Sequence, residues 1–198
     1  FAAHYRGLWR EEFDEPRPNV VVISPDAGGA KRAQKLSTLL GVQYSVMDKK
    51  RADHGRADHQ FYLPIDVKGK KVILTDDMVD SGSSVVGEYE NNKDGPVQFL
   101  QSREADVYLC ATHAVLSGKN GIPAEERLRQ AKVPVLFTNS LPEKRPGYYR
   151  ENQDWMTVLS LDHALAKALF CNQVGESISE FLKRREENLL AEKLDYVS

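Results

Sequence analysis

At 198 residues the chain is long enough for one domain with a full core. Its 27 Lys plus Arg stand against 29 Asp plus Glu, a formal net charge of -2, which gives no footing for a nucleic-acid or anionic-membrane partner. No apolar run approaches the roughly 20 residues of a membrane-spanning helix, and no signal peptide is evident, so a cytoplasmic protein is expected. Cys110 and Cys171 stand alone in apolar stretches without C-x-x-C spacing, which reads as buried free thiols in a reducing compartment. The opening Phe1-Ala2-Ala3-His4 lacks an initiator Met, as expected of a fragment or a processed product.

In chain order, Phe1, Tyr5, Leu8 and Trp9 have helical spacing up to Arg10, and the charged stretch Glu11 to Pro18, with Pro16 and Pro18, should end that helix. Val20 to Ile23 is the first buried strand. Ser24-Pro25-Asp26-Ala27-Gly28-Gly29 is a turn, and Ala30 to Leu40 is an amphipathic helix ending at Gly41. A second strand runs from Val42 to Met47. Asp48 to Gln60 is a polar loop without periodicity that holds the near-repeat Arg51-Ala52-Asp53-His54 and Arg56-Ala57-Asp58-His59. Its two histidines lack an evident third ligand and are read as loop residues rather than a metal site.

After a short extended piece from Phe61 to Ile65 comes the central stretch, Val72-Ile73-Leu74-Thr75-Asp76-Asp77-Met78-Val79-Asp80-Ser81-Gly82-Ser83-Ser84. An apolar strand enters an acidic turn, then a loop of small residues, and a helix is expected to begin at Val85 and reach Tyr89. The paired carboxylates Asp76 and Asp77 repel anions and accept from vicinal hydroxyls. The loop amides and the Ser81, Ser83 and Ser84 hydroxyls offer donors to a phosphate. A molecule with a diol at one end and a phosphate at the other fits both halves, which describes a ribose 5-phosphate.

Beyond it, Asn91 to Ala105 reads as a long connection broken at Asn91 to Gly95. Asp106 to Ala114 is a buried strand, Ala124 to Gln130 a short helix and Val133 to Thr138 a strand. Pro142 to Gln153 is irregular, and Met156 to Leu159 forms a last strand. Helices are expected from Asp162 to Phe170 and from Ile178 to Leu194, with Ser177 or Ser179 capping the latter. Strands alternating with helices imply an α/β fold with a doubly wound, mainly parallel sheet that takes ligands at the strands' C-terminal ends. No low-complexity linker divides the chain. One domain over 1–198 is therefore expected, with 1–18 as N-terminal helix and linker and 180–198 as a helical extension.

The central stretch resembles the sugar-phosphate loop of type I phosphoribosyltransferases and phosphoribosyl pyrophosphate (PRPP) synthetases. Three further stretches are similar to the synthetases in order: Val22-Ile23-Ser24-Pro25-Asp26-Ala27-Gly28-Gly29-Ala30-Lys31-Arg32, Asp48-Lys49-Lys50-Arg51, and Ala111-Thr112-His113-Ala114-Val115-Leu116-Ser117-Gly118. The resemblance, from about Asn19 to Ser179, implies the C-terminal half of a two-domain homo-oligomeric enzyme. That family transfers the β,γ-diphosphoryl group of MgATP to the C1 hydroxyl of ribose 5-phosphate, giving PRPP and AMP. It implies catalytic roles for Lys49 and Arg51, ribose-5-phosphate binding by Asp76, Asp77, Asp80, Ser81, Gly82, Ser83 and Ser84, a magnesium contact at Asp26, and a candidate ligand contact at His113. Such roles suit phosphoryl transfer, which asks for positioning and positive charge rather than a covalent nucleophile.

Departures are visible. Ser83 stands where the family has Gly, Ala114 where it has Gly, and the segments Lys119 to Glu125 and Pro142 to Asp154 read as insertions. Two other classes share parts of the pattern. A phosphoribosyltransferase would share the central loop but not the Ser-Pro-Asp-Ala-Gly-Gly turn or the Asp-Lys-x-Arg loop. A non-catalytic regulatory relative would keep the fold.

Overall fold

The computed structural model describes residues 1–15, 18–50, 60–88 and 93–194. Two short helices, α1 (Ala2–Leu8) and α2 (Arg10–Asp14), lead into strand β1 (Val20–Ser24). A 3₁₀ turn at Ala27–Gly29 opens α3 (Ala30–Leu40), which is followed by β2 (Gln43–Val46) and the strands β3 (Asp48–Lys50) and β4 (Gln60–Tyr62). The middle of the chain contains β5 (Lys71–Val79), α4 (Ser83–Val86), β6 (Gly87–Glu88), β7 (Lys93–Asp94), α5 (Pro96–Gln101) and β8 (Asp106–Ala114). Then come β9 (Gly118–Lys119), β10 (Ile122–Pro123), α6 (Ala124–Gln130), β11 (Val135–Thr138), α7 (Tyr148–Glu151), β12 (Met156–Leu159), α8 (Asp162–Val174) and α9 (Ile178–Leu194).

Six strands form one sheet in the order β12-β11-β8-β5-β1-β2, and each pairing within it is parallel. This is the α/β, doubly wound architecture expected from the alternation of strands and helices. The apolar runs are buried on both faces, and their period of two divides them between two cores. Val20, Val22, Ile73, Cys110 and Leu136 face one side, against Ala2, Tyr5 and Trp9 of the N-terminal region and Ala33, Leu36 and Leu40 of α3. Val21, Ile23, Val72, Leu74, Leu109, Ala111 and Phe137 face the other, against Val85, Val86, Val97, Leu100 and Leu128. Cys110 and Cys171 are buried free thiols. Among the described residues, no helix is long and apolar enough to cross a membrane.

Several local expectations change. The first helix breaks at Trp9, whose backbone lies at φ -121° and ψ 46°, and a second short helix carries the chain through Glu11 and Glu12. Trp9 leaves the helical path because its ring is needed in the core, stacked on Tyr5 at 4.9 Å and edge-on to Tyr108 at 4.7 Å. The polar stretch after β2 begins and ends as a β3–β4 hairpin, with Lys49 opposite Phe61; Arg51, His54 and His59 lie outside the described residues. The connection before β8 contains a helix, α5. Pro96 sits in its first turn, where no backbone N–H is needed, and Gln98 Oε1 accepts from Gly95 N–H at 3.1 Å.

The helix expected from Val85 starts at Ser83 and lasts one turn. Gly87 ends it at φ 88°, and a Cβ there would stand 2.2 Å from the Lys93 carbonyl oxygen of the β6–β7 hairpin. Only glycine permits both the left-handed backbone and that close approach. At the other end of the chain, Gly175 closes α8 in the left-handed conformation, and Ser177 Oγ accepts from Glu180 N–H at 3.3 Å, the expected cap of α9. Gly87→Ala is expected to destabilise the fold by about 2 kcal/mol or more, read as a lower urea midpoint with an unchanged slope.

Candidate functional site

The sheet order reverses between β1 and β5, since β1 is followed by β2 on one side and the chain then returns to build β5, β8, β11 and β12 on the other. A crevice for ligands opens outside the C-terminal ends of two such strands, where the connecting segments diverge. Beyond β1 lies Asp26, an exposed residue whose Oδ1 accepts from Gly29 N–H at 3.1 Å. The turn is drawn tight, with Ser24 Oγ donating to Asp26 O at 2.7 Å. A Cβ on Gly29 would meet Ser24 Oγ at 2.4 Å and Arg32 Nη1 at 3.1 Å.

Asp76 and Asp77 lie within β5, not in a turn after it. The reason is the length of the neighbouring strand: β8 pairs Asp76 with Ala111, Met78 with His113 and Val79 with Ala114. Successive strand residues face opposite ways, and one guanidinium spans both acids: Arg32 Nη1 lies 3.6 Å from Asp76 Oδ1 and Nη2 lies 3.6 Å from Asp77 Oδ2. Arg32 thus joins α3 to β5 across the switch point. It was not singled out in the sequence, and its one signal there is its place six residues after Asp26, in the turn's own helix.

The two carboxyl groups are electrostatically unequal. Desolvation pushes Asp76 up to about 6, with the adjacent Asp77 carboxylate adding to the rise and the Asp77 N–H and Arg32 opposing it. Asp77 also feels desolvation, yet hydrogen bonding with Asp76, the Met78 N–H and the Arg32 charge hold it below the usual carboxylate range. One acid of the pair is therefore poised to exchange a proton near neutrality while the other stays ionised.

The loop after β5 is braced from the segment that follows β8. Leu116 N–H donates to Val79 O at 3.0 Å, and Ser117 Oγ donates to Asp80 Oδ1. Gly82 takes the left-handed conformation at φ 76°, and Ser81 Oγ and Ser83 Oγ lie 3.0 Å apart. His113 Nδ1 lies 2.9 Å from Ser140 Oγ, whose own proton goes to Thr112 O at 2.9 Å. The serine therefore accepts, and a proton of the imidazole sits on Nδ1.

The structure thus brings Asp26, Asp76, Asp77 and the Asp80–Ser84 loop to the ends of adjacent strands, with His113 on the next strand along. Lys49 lies on β3; Arg51 falls outside the described residues. Ser117, Ser140 and Lys119, whose Nζ comes within 3.4 Å of Ser83 Oγ, join the site from segments distant in sequence.

A parallel sheet with an acidic strand end and a small-residue loop beside its switch point is the architecture of a phosphoribosyltransferase-type domain. The phosphoribosyl transferase domain model matches residues 1–87. A relative at 34% identity over 81% of this chain is the ribose-phosphate pyrophosphokinase of Fusobacterium nucleatum, and ribose-phosphate pyrophosphokinase 1, chloroplastic, of Arabidopsis thaliana is 32% identical over 83% of this chain. The chain covers 46% and 37% of those two proteins, so it spans less than half of their length. The phosphoribosylpyrophosphate synthetase of Mycobacterium smegmatis superposes with a TM-score of 0.65 at 30% identity, over 88% of this chain and 49% of that one. The chain belongs among the relatives of the ribose-phosphate pyrophosphokinases.

The crowded acid pair has a thermodynamic consequence. With its folded value near 6, Asp76 takes a proton more readily in the native than in the unfolded state, so its contribution to stability is lost as pH rises from about 4 to about 6. Asp76→Asn is therefore expected to stabilise the protein by about 1 kcal/mol at pH 7, a figure reduced from the full shift for the group's partial exposure to water. Urea melts should show that gain shrinking to nothing by about pH 4.

Proposed function

We propose that the protein is a ribose-phosphate diphosphokinase, and that this chain supplies its ribose-5-phosphate site and catalytic loop. The observation that supports this reading most is the meeting, at one switch point, of the Asp26 turn, the Arg32-bridged Asp76/Asp77 pair and the serine loop directly beyond. In this reading Asp76 and Asp77 accept from the 2- and 3-hydroxyls of the ribose. The 5-phosphate rests against the loop formed by Asp80, Ser81, Gly82, Ser83 and Ser84, whose donors are the backbone amides and hydroxyls. A sugar held at both ends has its C1 hydroxyl fixed in position, and fixing the nucleophile is most of what phosphoryl transfer requires.

The C1 oxygen attacks the β-phosphorus of ATP, the bond from that phosphorus to the α-bridging oxygen breaks, AMP departs, and the hydroxyl proton is released. Lys49 and Arg51 stabilise the charge that develops on the transferring diphosphoryl group. Magnesium suits the residues present: carboxylates are hard oxygen donors, and this ion takes one or two of them together with substrate phosphates and water. Such an ion would be carried in with the nucleotide phosphates and met by Asp26. His113, held through Nδ1 by Ser140, is the candidate ligand contact from the neighbouring strand. We read residues 1–198 as one such domain, with 180–198 an extension of it, within a cytoplasmic homo-oligomer that binds ATP and ribose 5-phosphate.

Calorimetric titration tests the sugar site. The wild type should bind ribose 5-phosphate saturably, and the Asp76→Asn/Asp77→Asn double variant about tenfold more weakly or worse. Tight magnesium-dependent binding of PRPP without ribose 5-phosphate binding would instead mark a phosphoribosyltransferase. In an AMP-release assay, Lys49→Ala and Arg51→Ala should each lower kcat by about 10²–10³ while leaving ribose 5-phosphate affinity near the wild-type value. Unchanged turnover in both would remove the catalytic role from that loop.

A further inference from the structure

Resting on the ribose-5-phosphate reading above, we infer that Lys119 is a phosphate-binding residue of the sugar site, carried there by a hairpin that begins at Gly118, where the stretch Ala111 to Gly118 ends. The hairpin pairs Lys119 with Ile122 and Gly118 with Pro123 in antiparallel register. Its two central residues are Asn120 at φ 55° and Gly121 at φ 77°. Asn-Gly with both φ values positive is the tight two-residue connection whose twist matches the flanking strands. Lys119 therefore leaves a defined backbone rather than a wandering loop. Its carbonyl accepts from Nη2 of Arg127 at 2.9 Å, and Arg127 is fully buried in α6. Ala124 N–H donates to Ser117 O at 3.1 Å, closing the base of the hairpin.

From that base the Lys119 ammonium reaches the serine loop. Nζ lies 3.4 Å from Ser83 Oγ, and it pairs with Glu88, whose side chain is only 13% exposed. Ser83 Oγ lies 3.0 Å from Ser81 Oγ, so the cation is linked to two hydroxyls of the loop. A cavity of about 180 Å³ opens at this point, lined in part by Ser83, Ser84, Glu88, Lys93, Phe61 and Lys119. An ammonium has three protons. Glu88 and Ser83 orient two of them, and the third is free to turn to an anion in the cavity.

Electrostatics gives this cation its purpose. Asp76, Asp77 and Asp80 stand on one short segment, and a phosphate dianion brought beside them meets like charge on its sugar side. Arg32 is committed to the acid end, 3.6 Å from each of Asp76 and Asp77. Lys119 supplies positive charge at the opposite, serine end, where a charge-assisted hydrogen bond to phosphate is stronger than a neutral one. The same residue then favours a phosphorylated sugar over the free sugar.

The test is calorimetric titration of ribose 5-phosphate and of inorganic phosphate into wild type, Lys119→Met, Lys119→Arg and Asp76→Asn/Asp77→Asn. Lys119→Met should weaken both ligands about tenfold or more, Lys119→Arg should recover most of that loss, and the double acid variant should weaken ribose 5-phosphate but not phosphate. Wild-type affinity for both ligands in Lys119→Met would overturn the assignment. A wild type that takes up no ribose 5-phosphate would instead overturn the sugar reading beneath it; phosphate binding lost in Lys119→Met would then still support an anion contact at this lysine.

Discussion

The site depends on a single guanidinium held between two adjacent carboxylates. Asp76 and Asp77 follow one another along β5, and desolvation, with a smaller addition from the adjacent Asp77 charge, lifts the value of the more buried Asp76. Arg32 offsets part of that cost from α3, whose apolar face is packed on the sheet through Ala33, Leu36 and Leu40. The contact is long and partly exposed, and its worth in stability is modest. Its consequence is geometric: the turn carrying Asp26 cannot drift from the acids without breaking it. Gly29 completes the arrangement by letting the Asp26 turn lie against Ser24 and Arg32 with no side chain between them.

The sheet makes such crowding tolerable. Five strands at its centre and flank place alternate residues into two separate cores, one closed by α1 and α3 and the other by α4, α5 and α6. Burial of both faces supplies the stabilisation against which unfavourable charge at the strand ends can be set. β8 is as long as β5 and pairs with it to the end. The acids are thereby held on a rigid strand rather than on a loop, which is the better support for a site requiring fixed geometry. The segment after β8 then returns to brace the serine loop through Leu116 and Ser117, so one strand serves both halves of the crevice.

What was legible in the sequence follows from the range over which each signal acts. Apolar runs such as Val20 to Ile23 and Val72 to Leu74 announced buried strands, and Ala30 to Leu40 with Gly41 announced a helix and its end, because these features are settled by near neighbours. The boundaries that moved were those settled by distant partners. The acids joined β5 because β8 lies alongside. The helix after the serine loop stopped at Gly87 because the β6–β7 hairpin folds back against it. The Pro96 helix was not anticipated because its 6 residues are too few to declare a helical period behind the break at Asn91 to Gly95.

The sequence by itself determined the class of fold, a doubly wound, mainly parallel sheet, and offered the acid pair and its serine loop as candidates, since these rest on local periodicity and on residue types with specific chemistry. Only the tertiary structure decided which charges meet: that Arg32 spans Asp76 and Asp77, that Ser140 fixes the proton of His113, and that an Asn-Gly hairpin carries Lys119 to Ser83. Those pairs are separated by tens of residues, and no spacing along a chain encodes a contact made only when a crossover connection brings two strand ends together.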